Sequence, residues 1–211
     1  MFDARIRPLI DPPLARAGRR LAAAGVTADG LTLAGFGVGM LATAAIAAGW
    51  FAAGFVLIAI NRLVDGLDGP VARATTASDR GGFLDIVLDF GFYGAIPLAF
   101  AIADPAANAL AAAALLTAFY VNGAAFLAFA VMAEKRGLAT EAQGRKSLYY
   151  VAGLAEGTET VAVFLAMAAF PGWFPVLAWG FAALTAVSAA ARIVIGAARL
   201  KAPPAGERAD R

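Results

Sequence analysis

Runs of about twenty apolar residues, joined by short connections, leave this chain few folds to adopt. Residues 30–49, 51–74, 82–103, 107–133, 148–170 and 173–198 read as six such segments. Each is close to the roughly 20 residues that a transmembrane helix needs. In lipid, every backbone N–H and C=O must find a partner within the segment, so spans of this length are helical. The composition agrees, with 61% hydrophobic residues, 15% charged residues and a mean hydropathy of +0.75. A soluble domain is nearer half apolar and about a quarter charged. The expected fold class is all-α: a polytopic membrane protein with six transmembrane helices preceded by an interfacial amphipathic helix.

The cations support the same span count. All 17 Lys and Arg residues fall in four places. Arg5, Arg7, Arg16, Arg19 and Arg20 precede the first span. Arg62, Arg73 and Arg80 surround the connection between the second and third. Lys135, Arg136, Arg145 and Lys146 lie between the fourth and fifth. Arg192, Arg199, Lys201, Arg208 and Arg211 close the chain. The connections near Trp50, Asp104-Pro105 and Pro171-Gly172-Trp173 carry none. The positive-inside rule is then met with both termini cytoplasmic in the inner (cytoplasmic) membrane.

Three regions are expected: an amphipathic juxtamembrane segment over 1–24, a six-helix membrane catalytic domain over 25–200, and a disordered cytoplasmic tail over 201–211. In the first, arginines alternate with Ile6, Leu9, Ile10, Leu14 and Leu21. This pattern predicts a helix lying on anionic headgroups and broken near Pro12-Pro13. The segment lacks the apolar core and cleavage site of a signal peptide.

The chain has no cysteine and no histidine. That excludes disulfides, thiolate nucleophiles, imidazole bases and Cys- or His-bound metals. Acid-base and metal chemistry must fall to carboxylates. Four of these, Asp65, Asp68, Asp85 and Asp89, stand at the cytoplasmic ends of two apolar segments. With Asp65 at zero on a helical wheel, Asp68 falls at about −60°, Ala72 at about −20°, Gly69 at about +40° and Arg73 at about +80°. On the next helix Gly81, Asp85 and Asp89 step by four along one stripe. Two such helices face to face would gather four carboxylates beside small residues. Without cations, those charges repel strongly at low dielectric. Oxygen-only ligands point to magnesium, manganese or calcium. Two divalent ions beside a small-residue wall and an arginine suit a pyrophosphate linkage.

The pattern Asp65-x-x-Asp68-Gly69-x-x-Ala72-Arg73, followed by Gly81-x-x-x-Asp85-x-x-x-Asp89, resembles the signature of the CDP-alcohol phosphotransferases, and the six-span layout with its N-terminal amphipathic helix resembles theirs too. Seven residues separate Arg73 from Gly81, where the pattern is often written with eight. The resemblance implies a metal-dependent CDP-alcohol phosphatidyltransferase. It would move a phosphatidyl group from CDP-diacylglycerol to a small polar alcohol and release CMP. It further implies that Asp65, Asp68 and Asp85 hold two divalent cations (Mg²⁺ or Mn²⁺), and that Asp89 touches metal and serves as general base. Gly69, Ala72, Arg73 and Gly81 would line the cytidine diphosphate site, and the protein would be a homodimer. Thr27 and Asp29, just before the first span, read best as an N-terminal helix cap.

The acceptor side is open at this level. Glu156 and Glu159 lie within the fifth span, where a charge costs roughly 2.5–3.5 kcal/mol to insert. They suit an acceptor pocket that binds hydroxyls or, with Tyr149 and Tyr150, an ammonium group. The alternative is a structural contact to an arginine such as Arg192. Arg145 and Lys146 suit a phosphate-bearing acceptor or serve as topology determinants. Three alternatives to the main reading stand: transfer from a soluble CDP-alcohol to diacylglycerol, a membrane prenyltransferase, and an ion-coupled transporter using the two glutamates. No nucleic-acid partner is expected.

Overall fold

A computed structural model describes residues 3–136 and 157–201, with side chains from residue 12 onward. Every regular element among the described residues is helical. The elements are α1 (Asp3–Ala23), α2 (Ala28–Ala47), α3 (Phe51–Ala74), α4 (Asp79–Ala103), α5 (Pro105–Lys135), α6 (Gly157–Ala169), a 3-10 turn at Pro171–Trp173, and α7 (Phe174–Lys201). Glu156, Arg145, Lys146, Tyr149, Tyr150 and the tail beyond residue 201 lie outside the described residues.

Four stretches are long and apolar enough to cross a membrane: Ala28–Ala47, Asp79–Ala103, Pro105–Lys135 and Pro171–Lys201. α3 has the length, at 24 residues. Its second half carries Arg62, Asp65, Asp68 and Arg73, which dilute its hydropathy. The chain is a multi-pass membrane protein. One expectation is corrected: α1 continues through Pro12-Pro13 without a break. Each proline removes a single donor to the residue four back, and the hydrogen-bond ladder resumes on either side.

The chain forms two compact units, Met1–Ala113 with Gly157–Ala178, and Ala114–Glu156 with Trp179–Arg211. In the first, small residues let helices approach closely, as membrane helix pairs require. A Cβ on Gly54 of α3 would stand 2.5 Å from the Ile46 side chain of α2. One on Gly18 of α1 would stand 2.5 Å from Pro70 Cβ of α3. Aromatic rings fill the space between helices. Phe100 of α4 stacks on Phe174 with centroids 4.5 Å apart, and Phe92 meets Phe164 of α6 edge to face at 6.1 Å. Buried amides add polar pins: Asn61 Nδ2 donates to the Gly35 carbonyl at 2.8 Å, and Asn108 Nδ2 to the Phe100 carbonyl at 2.9 Å.

The turn between α2 and α3 follows from one glycine. Gly49 has φ +80°, and the Trp50 N–H returns to the Ala45 carbonyl at 2.8 Å. This is the glycine-terminated helix end that closes the last orphan carbonyls. In the second unit, Phe119 packs edge to face on Phe181 at 5.8 Å. The Arg192 guanidinium lies 5.3 Å from the Phe126 ring centroid.

Candidate metal centre

α3 ends at Ala74 and α4 begins at Asp79, so a four-residue connection turns the chain back on itself. Ser78 caps α4 by accepting from the Gly81 N–H at 3.0 Å. Thr27 likewise caps α2, accepting from the Gly30 N–H at 3.1 Å, which agrees with the capping role read from the sequence. Asp29, in the first turn of α2, meets Arg80 at 3.5 Å. A Cβ on Gly81 would lie 3.1 Å from Asp29 Oδ1, so glycine lets α4 start close against α2.

The hairpin brings three of the four aspartates together. Asp65 and Asp68 of α3 and Asp85 of α4 each offer a carboxylate oxygen, all within 4.8 Å of one another, and all three residues are half-buried. Asp89 lies one turn further along α4. It is half-buried too, in the field of Asp85, Asp68 and Arg62, and accepts a hydrogen bond from the Tyr93 phenol. Tyr93 also meets the Arg62 side chain. The Arg73 guanidinium turns back along α3: its Nη1 lies 3.3 Å from where a Cβ on Gly69 would stand. Ala72 is half-buried on the same helix.

Three residues beside the carboxylates were not singled out from the sequence. Arg62 forms an ion pair with Asp65, one turn before it on α3. Thr32 of α2 sits with its hydroxyl 2.9 Å from Asp68 Oδ2 and 3.1 Å from the Ala28 carbonyl, with one proton to share between them. Tyr93 extends the step-by-four stripe of Gly81, Asp85 and Asp89, a signal present in the sequence. Arg62 stands three before Asp65, also a readable spacing. Thr32 is 36 residues from Asp68, and nothing local joins them.

Of the acceptor candidates, Glu159 is described. It lies in the first turn of α6 and is half-buried. The same turn touches the site: a Cβ on Gly157 would stand 3.2 Å from the Tyr93 hydroxyl.

A helical membrane protein with a carboxylate cluster on a helical hairpin is the class that fold and site define. The sequence profile of the CDP-alcohol phosphatidyltransferase family matches residues 25–194. The chain is 46% identical over 201 residues to the inner membrane protein YnjF of Escherichia coli K12, covering 95% of this chain and 98% of that one. It is 38% identical over 86 residues to archaetidylinositol phosphate synthase of Pyrococcus horikoshii, covering 40% of this chain and 46% of that protein. Two crystal structures of Mycobacterium tuberculosis phosphatidylinositol phosphate synthase (PgsA1) share the fold. With CDP-DAG bound, the TM-score is 0.64 at 19% identity, over 87% of this chain and 92% of that one. With manganese and citrate, it is 0.64 at 21% identity, over 87% and 88%. The chain belongs to the CDP-alcohol phosphatidyltransferase family, metal-dependent transferases of phospholipid biosynthesis.

Proposed function

We propose that this chain moves a phosphatidyl group from CDP-diacylglycerol to the hydroxyl of a small polar alcohol and releases CMP. The observation that carries the reading is the convergence of Asp65, Asp68 and Asp85 within 4.8 Å, with Asp89 and Tyr93 one and two turns further along the same α4 stripe. The donor set fits divalent cations, since it consists of hard oxygens with no nitrogen or sulfur. Asp65, Asp68 and Asp85, with Asp89, would hold two of them, Mg²⁺ or Mn²⁺. Cations bound there would neutralise charge on the phosphoryl group being transferred.

The chain's own residues do the rest. Asp89 takes the proton of the acceptor hydroxyl, and the Tyr93 phenol keeps that carboxylate oriented. The acceptor oxygen bonds to the β-phosphorus, the bond from that phosphorus to the CMP oxygen breaks, and CMP leaves with the electron pair. Arg73 clamps a pyrophosphate oxygen with its planar fork. Gly69, Ala72 and Gly81 leave room for the cytidine diphosphate. The first turn of α6 lies against Tyr93 and so beside Asp89, which favours Glu159 for the acceptor side. Glu156, Arg145 and Lys146 stand as further acceptor-side candidates in this reading.

Membership in the family removes the prenyltransferase and transporter alternatives. The wider picture is a six-span inner-membrane homodimer, with α1 lying on the membrane surface and both termini and the active site cytoplasmic. The inner-membrane name of the Escherichia coli relative supports the location.

The test uses detergent-purified protein with Mn²⁺, CDP-diacylglycerol and a panel of acceptors. The panel holds inositol phosphate, glycerol phosphate, a neutral polyol and an amino alcohol. CMP release with one acceptor is expected. CMP formed instead from a soluble CDP-alcohol and diacylglycerol would reverse the direction of transfer. No CMP from either donor would overturn the reading.

A further inference from the structure

We propose that Arg62 is the resident counter-cation of the acidic site and that its charge sets how tightly the site takes divalent metal. The inference rests on the metal reading of Asp65, Asp68 and Asp85 given above.

Arg62 follows the apolar first half of α3 and stands one turn before Asp65. Its guanidinium pairs with Asp65 on its own helix. Asp85, Asp89 and Tyr93 of α4 lie within the field of its charge. The other two arginines of this region are engaged elsewhere: Arg73 turns back over Gly69, and Arg80 is 77% exposed beside Asp29. Arg62 is thus the arginine of this hairpin that sits among the carboxylates.

Its chemistry explains the position. Until metal is bound, the carboxylates have only the chain's own cations to neutralise them. Four neighbouring aspartates without a cation would then repel one another. A guanidinium stays charged at every accessible pH, so Arg62 supplies a permanent positive charge that holds the empty site together. The same charge works against loading. An incoming dication must share Asp65 with Arg62 and tolerate a like charge beside it. The site therefore binds metal more weakly than the carboxylates alone would. A residue with a merely structural role would do the opposite when removed, because a loosened site binds less.

Mn²⁺ binding to detergent-purified protein, read by electron paramagnetic resonance, tests this without activity. Wild type should bind Mn²⁺ and Asp68→Asn should not. Arg62→Gln should bind Mn²⁺ roughly tenfold more tightly, and its metal-free form should unfold at lower temperature. Arg62→Lys, which keeps the charge, should stay near wild type. Unchanged or weaker binding in Arg62→Gln, with Asp68→Asn inactive in binding, overturns the role of Arg62 alone. Full binding in Asp68→Asn overturns the metal reading and this inference with it. Should Arg62→Gln fail to fold, wild type labelled with ¹⁵Nε-arginine replaces it. The resonance missing in Arg62→Lys identifies Arg62, and Mg²⁺ should shift it as Asp65 turns to the metal. A resonance that stays put overturns the proposal.

Discussion

The two halves of α3 are built by different rules. Residues 51–60 are apolar, and packing holds them in place. Ile58 is fully buried, Gly54 admits Ile46 of α2, and Phe51 stacks on Phe100 at 5.7 Å. Residues 61–73 carry four charged side chains, and polar links hold them. Asn61 reaches the Gly35 carbonyl, Thr32 reaches Asp68, and Arg62 reaches Asp65. The first half makes the helix a part of the bundle. The second makes it a part of the site. Stability and metal binding should therefore separate along a single helix.

The largest effect belongs to the site half. Asp65→Asn, Asp68→Asn and Asp85→Asn should each lower turnover by about a hundredfold or more. Losing only a supporting partner of a metal ligand already costs roughly 10–100-fold, and these remove a proposed ligand. The metal-free proteins should unfold near the wild-type midpoint, since each change also relieves repulsion. Near wild-type turnover at low Mn²⁺ in any of the three would erase the distinction between the halves.

In the apolar half, Gly54→Val should do the reverse. Its Cβ would start 2.5 Å from Ile46 Cγ1, so the helices must part or Ile46 must leave its rotamer. Overpacking of this kind costs about 1–3 kcal/mol, read as a lowered denaturation midpoint in detergent. Mn²⁺ affinity should not change. A loss of affinity matching the loss of stability would mean that the two halves act as one.

What the sequence disclosed divides along the same line. Apolar runs were enough for the helical class. The repeat of four between Gly81, Asp85 and Asp89 was enough to expect a carboxylate face. Arg62 was harder to read, because every cation near a connection also serves topology, and only the contact with Asp65 distinguishes this one. Thr32 depends on how far α2 is rotated against α3, a property of packing that no local pattern encodes. The expected break at Pro12-Pro13 weighed the lost donors and not the ladder around them.

Thr32→Val tests the link that packing creates. Valine keeps the shape and removes the hydroxyl that stands 2.9 Å from Asp68. Mn²⁺ affinity should fall roughly tenfold, the lower end for a partner that orients a ligand, and Thr32→Ser should restore it. Equal affinity in the valine and serine variants would leave the hydroxyl with only its Ala28 carbonyl to serve.

The smallest effect should come from Asn61, which stands where the halves meet. It is 5% exposed and donates to the Gly35 carbonyl at 2.8 Å. It is also the residue just before Arg62. Hydrogen bonds between membrane helices average about 0.6 kcal/mol, because the unfolded chain in lipid finds other partners. Asn61→Ala removes the donor and leaves a small gap, so a loss of about 1 kcal/mol is expected in detergent denaturation. If Asn61 serves the bundle, that is the whole effect, and Mn²⁺ affinity stays within about twofold of wild type. If it also sets the register of Arg62 against Asp65, the affinity should move as it does in Arg62→Gln, toward tighter binding. A tightening of that kind would shift the border between the halves one residue toward the start of α3, and Asn61 would then belong to the site.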